Sequence, residues 1–388
     1  MRQTFLPLAT PQIGEEEIAE VVDSLRSGWI TSGPKVKRFQ ALLEEEIGVA
    51  HVRCVASCTA ALTLALRVAA IGPGDEVLLP AMTFVATANA IEDVGATPVF
   101  VDSEPGTGNI DLDAARAAIT PRTRAIIPVH LAGRPVDVDA LNALRDEYGL
   151  IVIEDAAHAL GSTWRDTPIG AHGNLTAFSF YATKNITTAE GGALATPDAS
   201  IADAAERLAL HGLSVGAWSR YGDTGFRHFE VTEPGLKANM TDVAAAIGLH
   251  QLPRLHGFVE RRAALAAHYD ELLAGLPVTT PPAADPRAGH SWHLYQVLVD
   301  PDCGIARDQV LDGLLARRIG TGVHYRGVHL HPYYRTRYEL DPASLPVATD
   351  ISERTLSLPL MPAMSDEDQD DVAEALAAVL SGARAAVA

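Results

Sequence analysis

Between residues 52 and 196 the chain alternates short apolar runs with helical stretches, and this constrains the fold more than any other feature. The apolar runs fall at residues 53–56, 76–79, 97–101, 125–129, 150–154, 177–180 and 193–196. Helical stretches at 59–70, 84–93, 113–119 and 138–148 separate the first five. Strands joined through helices pair in parallel, and both faces of the sheet are then covered. The expected fold class is α/β: a large domain on a mostly parallel seven-stranded sheet, followed by a smaller C-terminal α/β domain. Ligands of such sheets gather at the C-terminal ends of the strands, so polar residues there carry the most information.

The flanks complete the plan. Ile18, Val21, Val22 and Leu25 recur at helical spacing up to Gly28, and Pro34 opens a second helix carrying Val36, Phe39, Leu43 and Ile47. Residues 212–235 are rich in aromatics and glycine and read as a long functional loop. A helix over 241–276 is expected to break at Pro253, and the Pro-rich stretch 281–286 reads as a hinge. A strand at 292–299, a helix at 307–319, a short strand at 322–325 and a last helix follow. Ser365 and Asp368 have the spacing of a capping box at its start. The expected division is residues 1–250 for the large domain and 251–388 for the smaller one; 388 residues suffice for two cores.

Charge and cysteine content narrow the function. With 30 Lys and Arg against 49 Asp and Glu, the net charge is −19. Such a surface repels phosphate backbones and anionic lipid, so neither nucleic acid nor a membrane is an expected partner. A local site can still take a small anion. Cys54, Cys58 and Cys303 lack the spacing of a disulfide framework or a zinc site, and a reducing, cytoplasmic setting is expected. The N-terminus lacks the apolar run of a secretory leader, and no stretch has the length of a membrane span. His324, His329 and His331 have no acidic or cysteine companion at ligand spacing, so no metal is expected.

Four segments at strand ends carry the candidate chemistry. Residues 57–61, Ser-Cys-Thr-Ala-Ala, lead from a strand into a helix whose free N–H groups suit an anion; for this segment alone plain helix capping is the commoner explanation. Residues 152–158 deliver Glu154, Asp155 and His158. A buried Asp155 needs a cationic partner, which a pyridinium nitrogen or a structural role would satisfy. Residues 178–192 hold one lysine, Lys184, among Phe, Ala and Ile, with Ser179 five residues before it. Lysines at strand ends are usually solvated surface groups, but one desolvated among these residues would have a lowered pKa and act as a nucleophile. Residues 235–242 present Asn239 and Thr241 just before the long helix, where simple caps are the commoner explanation.

Taken together, in this order, the four segments resemble the aspartate-aminotransferase-like fold of type I pyridoxal-phosphate (PLP) enzymes. More narrowly the chain resembles the sugar aminotransferases of the DegT/DnrJ/EryC1/StrS family. That resemblance also rests on the Trp-Ile-Thr-Ser-Gly-Pro run at 29–34, on residues 80–89 and 127–133, on Val323-His-Tyr325 and on Pro332-Tyr-Tyr-Arg335. It implies that Lys184 holds the cofactor covalently and moves protons as general acid and base. It also implies that Asp155 pairs with the pyridine nitrogen and that Phe84 stacks on the ring. Cys58, Thr59 and Ser179 match the phosphate cup, and Asn239 reaches the phosphate of the partner subunit's cofactor in a homodimer. His158 stands where many members carry glutamine, and Cys58 where glycine is common. Trp29, Thr31, His324 and Tyr325 are candidate substrate contacts, as is the 218–228 loop.

The implied activity is transamination of a nucleotide-linked keto-deoxysugar with L-glutamate as donor. The form of residues 183–192 and the Lys-Ala-Asn-Met run at 237–240 favour attack at C4 of a dTDP-4-keto-6-deoxyhexose; the Asn-x-Arg pattern commoner among C3 enzymes is absent. The alternatives are a 3-aminotransferase, a sugar dehydratase, in which histidine replaces the lysine, and a non-enzymatic PLP-binding sensor. Secondary-metabolite and surface-polysaccharide pathways look alike at this level.

Overall fold

The computed structural model describes residues 2–214 and 228–387. The large sheet is built from β1 (His51–Val55), β2 (Glu76–Pro80), β3 (Thr97–Val101), β4 (Thr123–Ile126), β5 (Ile151–Ala156), β6 (Leu175–Ser179) and β7 (Gly192–Thr196). Their order is β1-β7-β6-β5-β4-β2-β3. All neighbours are parallel except β7, which runs antiparallel to both β1 and β6. The seven expected strands are present, and β4 ends three residues before the expected boundary. Beyond it the chain stays close to β5, with Val129 bridging Asp155.

Helices cover both faces, as parallel crossovers require. The helix α3 (Cys58–Val68) follows β1; Ser57 caps it by accepting from the Ala60 N–H at 3.1 Å. Leu62, Leu64 and Leu66 are all buried, because α3 lies between the sheet and neighbouring helices. The helix α4 (Val138–Tyr148), capped by Asp137 and ended by Gly149, delivers the chain into β5. On the face opposite α3, which α4 also covers, α2 (Pro34–Ile47) buries Phe39, Leu43 and Ile47, each worth roughly 1.5–3 kcal/mol of burial.

The N-terminal helix α1 (Glu15–Ser27) departs from its pattern. Its buried residues are Glu17 and Ser24, while Ile18 and Leu25 are exposed. Glu17 faces inward because Gln251 and Arg254 donate to it at 2.6 and 2.9 Å. The apolar stripe therefore points away from the chain's own core.

The expected helix over 241–276 is two helices, Asp242–Gln251 and Leu255–Leu272, joined by a 3-10 turn at Pro253. The second one links the two cores: Leu255 and Phe258 pack with the large sheet's layer, Leu265 and Tyr269 with the smaller one. The smaller sheet has three antiparallel strands, Val278–Thr279, Tyr295–Val299 and Thr355–Leu358. The short strand expected at 322–325 is not formed. Only a single bridge, Gly322 to Ser357, occurs there, and the third strand is Thr355–Leu358. Leu6 joins this second core through its bridge to Ile319. Ser365 and Asp368 form the expected capping box, each side chain accepting the other's N–H at 3.1 Å.

Candidate active site

A cavity of about 550 Å³ opens at the C-terminal ends of β5 and β6. Asp155 enters it from β5, Ser179 from the end of β6, and Lys184 from the turn after β6, whose N–H donates to the Tyr181 carbonyl at 2.9 Å. The N-terminus of α3 faces the same space with Cys58 and Thr59. Ser57 satisfies Ala60, so Cys58 and Thr59 are left with N–H groups that lack partners inside the helix. Gly192 makes room for them: a Cβ there would lie 2.4 Å from the Cys58 nitrogen. Phe84, the residue before the helix Val85–Asp93, leaves its ring exposed over the cavity.

Asp155 is buried and well held. Thr87 Oγ1 donates to Oδ2 at 2.8 Å and the Ala157 N–H to Oδ1 at 3.1 Å. Thr83 and Thr87 share a further hydroxyl bond at 2.8 Å. Burial pushes the carboxyl above its ordinary value, and these donors, with the Lys184 charge, oppose the rise. Burial lowers the Lys184 amine from 10.5 to about 8, against the pull of nearby Asp155. The Cys58 thiol, 3.9 Å from Asp155, is pushed far up by burial and stays protonated.

His158 Nδ1 accepts the Ala132 N–H at 3.2 Å, and a backbone amide can only donate. The ring is therefore neutral with its proton on Nε2, which donates to Tyr325 Oη at 3.0 Å. Burial and the Lys184 charge push His158 well below 6.5 in agreement. The Tyr325 ring in turn lies 5.7 Å from that of Phe84. His324 also lines the cavity, its Nδ1 2.8 Å from Ser357 Oγ, and burial lowers it to about 4.

Two groups escaped the sequence reading. Thr87 lies one turn into a helix start, with nothing in its neighbours to mark it as a partner of Asp155. His293, buried with its ring centroid 4.4 Å from that of His158, lines the cavity. A histidine inside the apolar run 292–299 was the available signal; the strand begins only at Tyr295, which leaves His293 free to turn inward.

Asn239, Trp29 and Thr31 are not brought into the Lys184 cavity of their own chain. Asn239 donates to Ser32 Oγ at 2.7 Å, accepts from Lys237, and lines a separate cleft with Gly33 and Arg53. The Trp29 indole donates to the Ser32 carbonyl at 3.0 Å, and the Thr31 carbonyl accepts from the Asp242 N–H. The 218–228 loop lies outside the described residues apart from its last one. Among the described residues no cluster is arranged to hold a metal ion, and no helix is long and apolar enough to cross a membrane.

These features fit one kind of cofactor. An anion finds the open N–H groups of α3, a planar ring finds the exposed face of Phe84, and a ring cation finds Asp155. An aldehyde finds the desolvated Lys184. The comparisons with known proteins agree. A model of the DegT/DnrJ/EryC1/StrS aminotransferase family matches residues 11–377. The spore coat polysaccharide biosynthesis protein SpsC of Bacillus subtilis (strain 168) is 47% identical over 384 residues, spanning 98% of this chain and 99% of that protein. The PMP form of the putative sugar aminotransferase Spr1654 from Streptococcus pneumoniae superposes with a TM-score of 0.90 at 36% identity, covering 97% of this chain and all (100%) of that one. Its PLP form gives 0.89 at 35%, covering 98% and 99%. Helicobacter pylori PseC, an aminotransferase involved in the biosynthesis of pseudoaminic acid, gives 0.90 at 29%, covering 98% and 100%.

Fold and comparisons define the class: this is an enzyme, a PLP-dependent sugar aminotransferase. The chain belongs to the DegT/DnrJ/EryC1/StrS aminotransferase family.

Proposed function

We propose that the protein transfers the amino group of L-glutamate to C4 of a nucleotide-linked 4-keto-6-deoxyhexose, with a dTDP sugar as first choice. The observation that carries the transamination reading is the meeting of Lys184 and Asp155 in one cavity with Phe84 and the start of α3. Preference for C4 rests on the sequence runs 183–192 and 237–240.

When bound, PLP supplies a carbon that takes and gives the amino group, and a ring that draws electrons from the carbon losing its proton. The chain's residues do the rest. Cys58 and Thr59, through their N–H groups, and Ser179 hold the phosphate. The Asp155 carboxylate keeps a proton on the ring nitrogen, and Phe84 covers one face of the ring. Lys184 Nζ, neutral in a useful fraction near pH 8, takes the proton from the donor's α-carbon. In the second half it returns a proton to the sugar carbon that receives nitrogen. His158 is a neutral donor through Nε2, as glutamine would be, and so adds no charge beside the ring hydroxyl.

The proposed assembly is a homodimer. Asn239, Trp29 and Thr31 then serve the partner's cavity. Two observations support this: these residues share a region apart from their own Lys184, and Ile30, between Trp29 and Thr31, is exposed, as are Ile18 and Leu25 of the preceding helix α1. Product analysis tests the substrate. Protein, glutamate and matched 4-keto and 3-keto nucleotide sugars are incubated, and the aminated carbon is read by NMR. Amination at C4 is expected; amination only at C3 would replace this reading with the 3-aminotransferase one.

A further inference from the structure

On the far face of β5 from the cavity lies a polar pair, His130 and Glu154, with no exposed surface at all. Successive strand residues point to opposite faces, so Glu154 backs directly onto Asp155. His130 Nε2 lies 2.8 Å from Glu154 Oε2, and the Val136 N–H donates to His130 Nδ1 at 3.1 Å. Nδ1 therefore carries no proton; the ring is neutral and donates from Nε2 to a Glu154 carboxylate. Both Glu154 oxygens thus accept, Oε2 from His130 and Oε1 from Asn174 Nδ2 at 2.8 Å, which is the bonding of a carboxylate; burial pushes the group up and these bonds pull it down. Asn174 passes the contact on to Arg145 at 2.8 Å.

The backbone of the same histidine is tied to Asp155. The His130 N–H donates to the Asp155 carbonyl at 3.1 Å, and the Asp155 N–H donates to the Pro128 carbonyl at 2.9 Å. Side chain and main chain thus clamp segment 128–130 to the strand end that presents the carboxylate. A buried ion costs several kcal/mol unless well bonded, so a fully enclosed Glu154 asks for a reason.

We propose that His130 and Glu154 are positioning residues for Asp155. They fix the strand end that carries its carboxylate, and they add a second buried negative charge behind the point where a protonated ring nitrogen lies. This inference rests on the assignment of Asp155 as the ring-nitrogen partner.

The test uses Glu154→Gln, which keeps the shape and can still accept from His130, and His130→Phe with His130→Gln as its rescue. Three readouts are compared: the melting temperature, the dissociation constant of PLP, and the ¹⁵N shift of the ring nitrogen in bound, labelled cofactor. Glu154→Gln is expected to melt near the parent, to bind PLP about tenfold more weakly, and to move the ¹⁵N signal toward the unprotonated position. That size is the lower end of what losing an outer hydrogen-bond partner costs at ligating sites. His130→Phe is expected to weaken binding further, and His130→Gln to recover part of it. In the apo-protein, long-range ¹⁵N–¹H spectra are expected to show His130 with its proton on Nε2. A parent-like affinity and ¹⁵N shift in Glu154→Gln would overturn the proposal, as would a doubly protonated or Nδ1-protonated His130. Asp155→Asn, run alongside, separates the two layers: if it too left PLP affinity and the ¹⁵N shift unchanged, the assignment of Asp155 itself would fall.

Discussion

The Lys184 cavity and the Asn239 cleft are built from the same chain in opposite ways. Around Lys184, Asp155, Ser179, Phe84 and the start of α3 converge from strand ends and helix starts within one chain. Around Asn239, residues of the same expected site lie apart from that cavity: Asn239 bonds to Ser32 and Lys237, the Trp29 indole bonds to the Ser32 carbonyl, and exposed Ile30 stands between Trp29 and Thr31. Chemistry that depends on a few ångströms is fixed by the sheet, while the outer contacts to phosphate and substrate are left, on the proposed reading, to a second copy.

Experiments can break that contrast in order of effect. Lys184→Ala is expected to lower turnover by at least about a thousandfold, since both nucleophile and acid–base group are lost. Residual turnover within about tenfold of the parent would remove Lys184 from the chemistry. The pH dependence is the next largest effect. Burial holds the amine at about 8 instead of 10.5, so capture of PLP by the apo-protein is expected to quicken about tenfold per pH unit and level off above 8. A rise continuing to pH 10 would mean a solvated lysine. The same shift has a stability sign: between about 8 and 10.5 the unfolded chain binds more protons at Lys184. The cost of burying it is therefore present in full below 8 and fades as pH rises toward 10.5.

Asn239→Ala sharpens the contrast from the other side. It is expected to weaken PLP binding about tenfold, the loss of one hydrogen bond to a charged group, with the dimer intact. Mixed with Lys184→Ala chains it is expected to restore activity, because a hybrid then holds one site free of both lesions. No recovery on mixing, with exchange of chains verified, would return Asn239 to its own chain. Thr87→Val is the smallest change. Removing one donor from Asp155 is expected to cost about 1 kcal/mol, read as roughly fivefold weaker PLP binding. An unchanged affinity would make the Thr83–Thr87–Asp155 chain a packing detail.

Much of this was legible in the sequence, and the losses have physical causes. Asp155 and Lys184 could be found because a charged residue at the end of an apolar strand contradicts its surroundings. The break at Pro253 and the capping box at Ser365 follow from local backbone chemistry and needed no tertiary information. Helix α1 was legible as a helix ending at Gly28, but apolar spacing identifies a face without saying what covers it: Ile18 and Leu25 lie outside and Glu17 inside. The strand Thr355–Leu358 alternates Thr-Leu-Ser-Leu over only four residues, too short a run to stand out, whereas 322–325 resembled a strand and forms one bridge. Thr87 and His130 act through partners far away in sequence, and no local pattern announces that.

The most direct measurement is the visible absorption spectrum of the purified protein with PLP, recorded before and after adding glutamate, with Lys184→Ala in parallel. A long-wavelength band is expected in the parent, absent from the variant, that disappears as glutamate converts the cofactor to its amine form. A parent protein with no such band, or a variant with the same band and the same response, would contradict the central role given to Lys184.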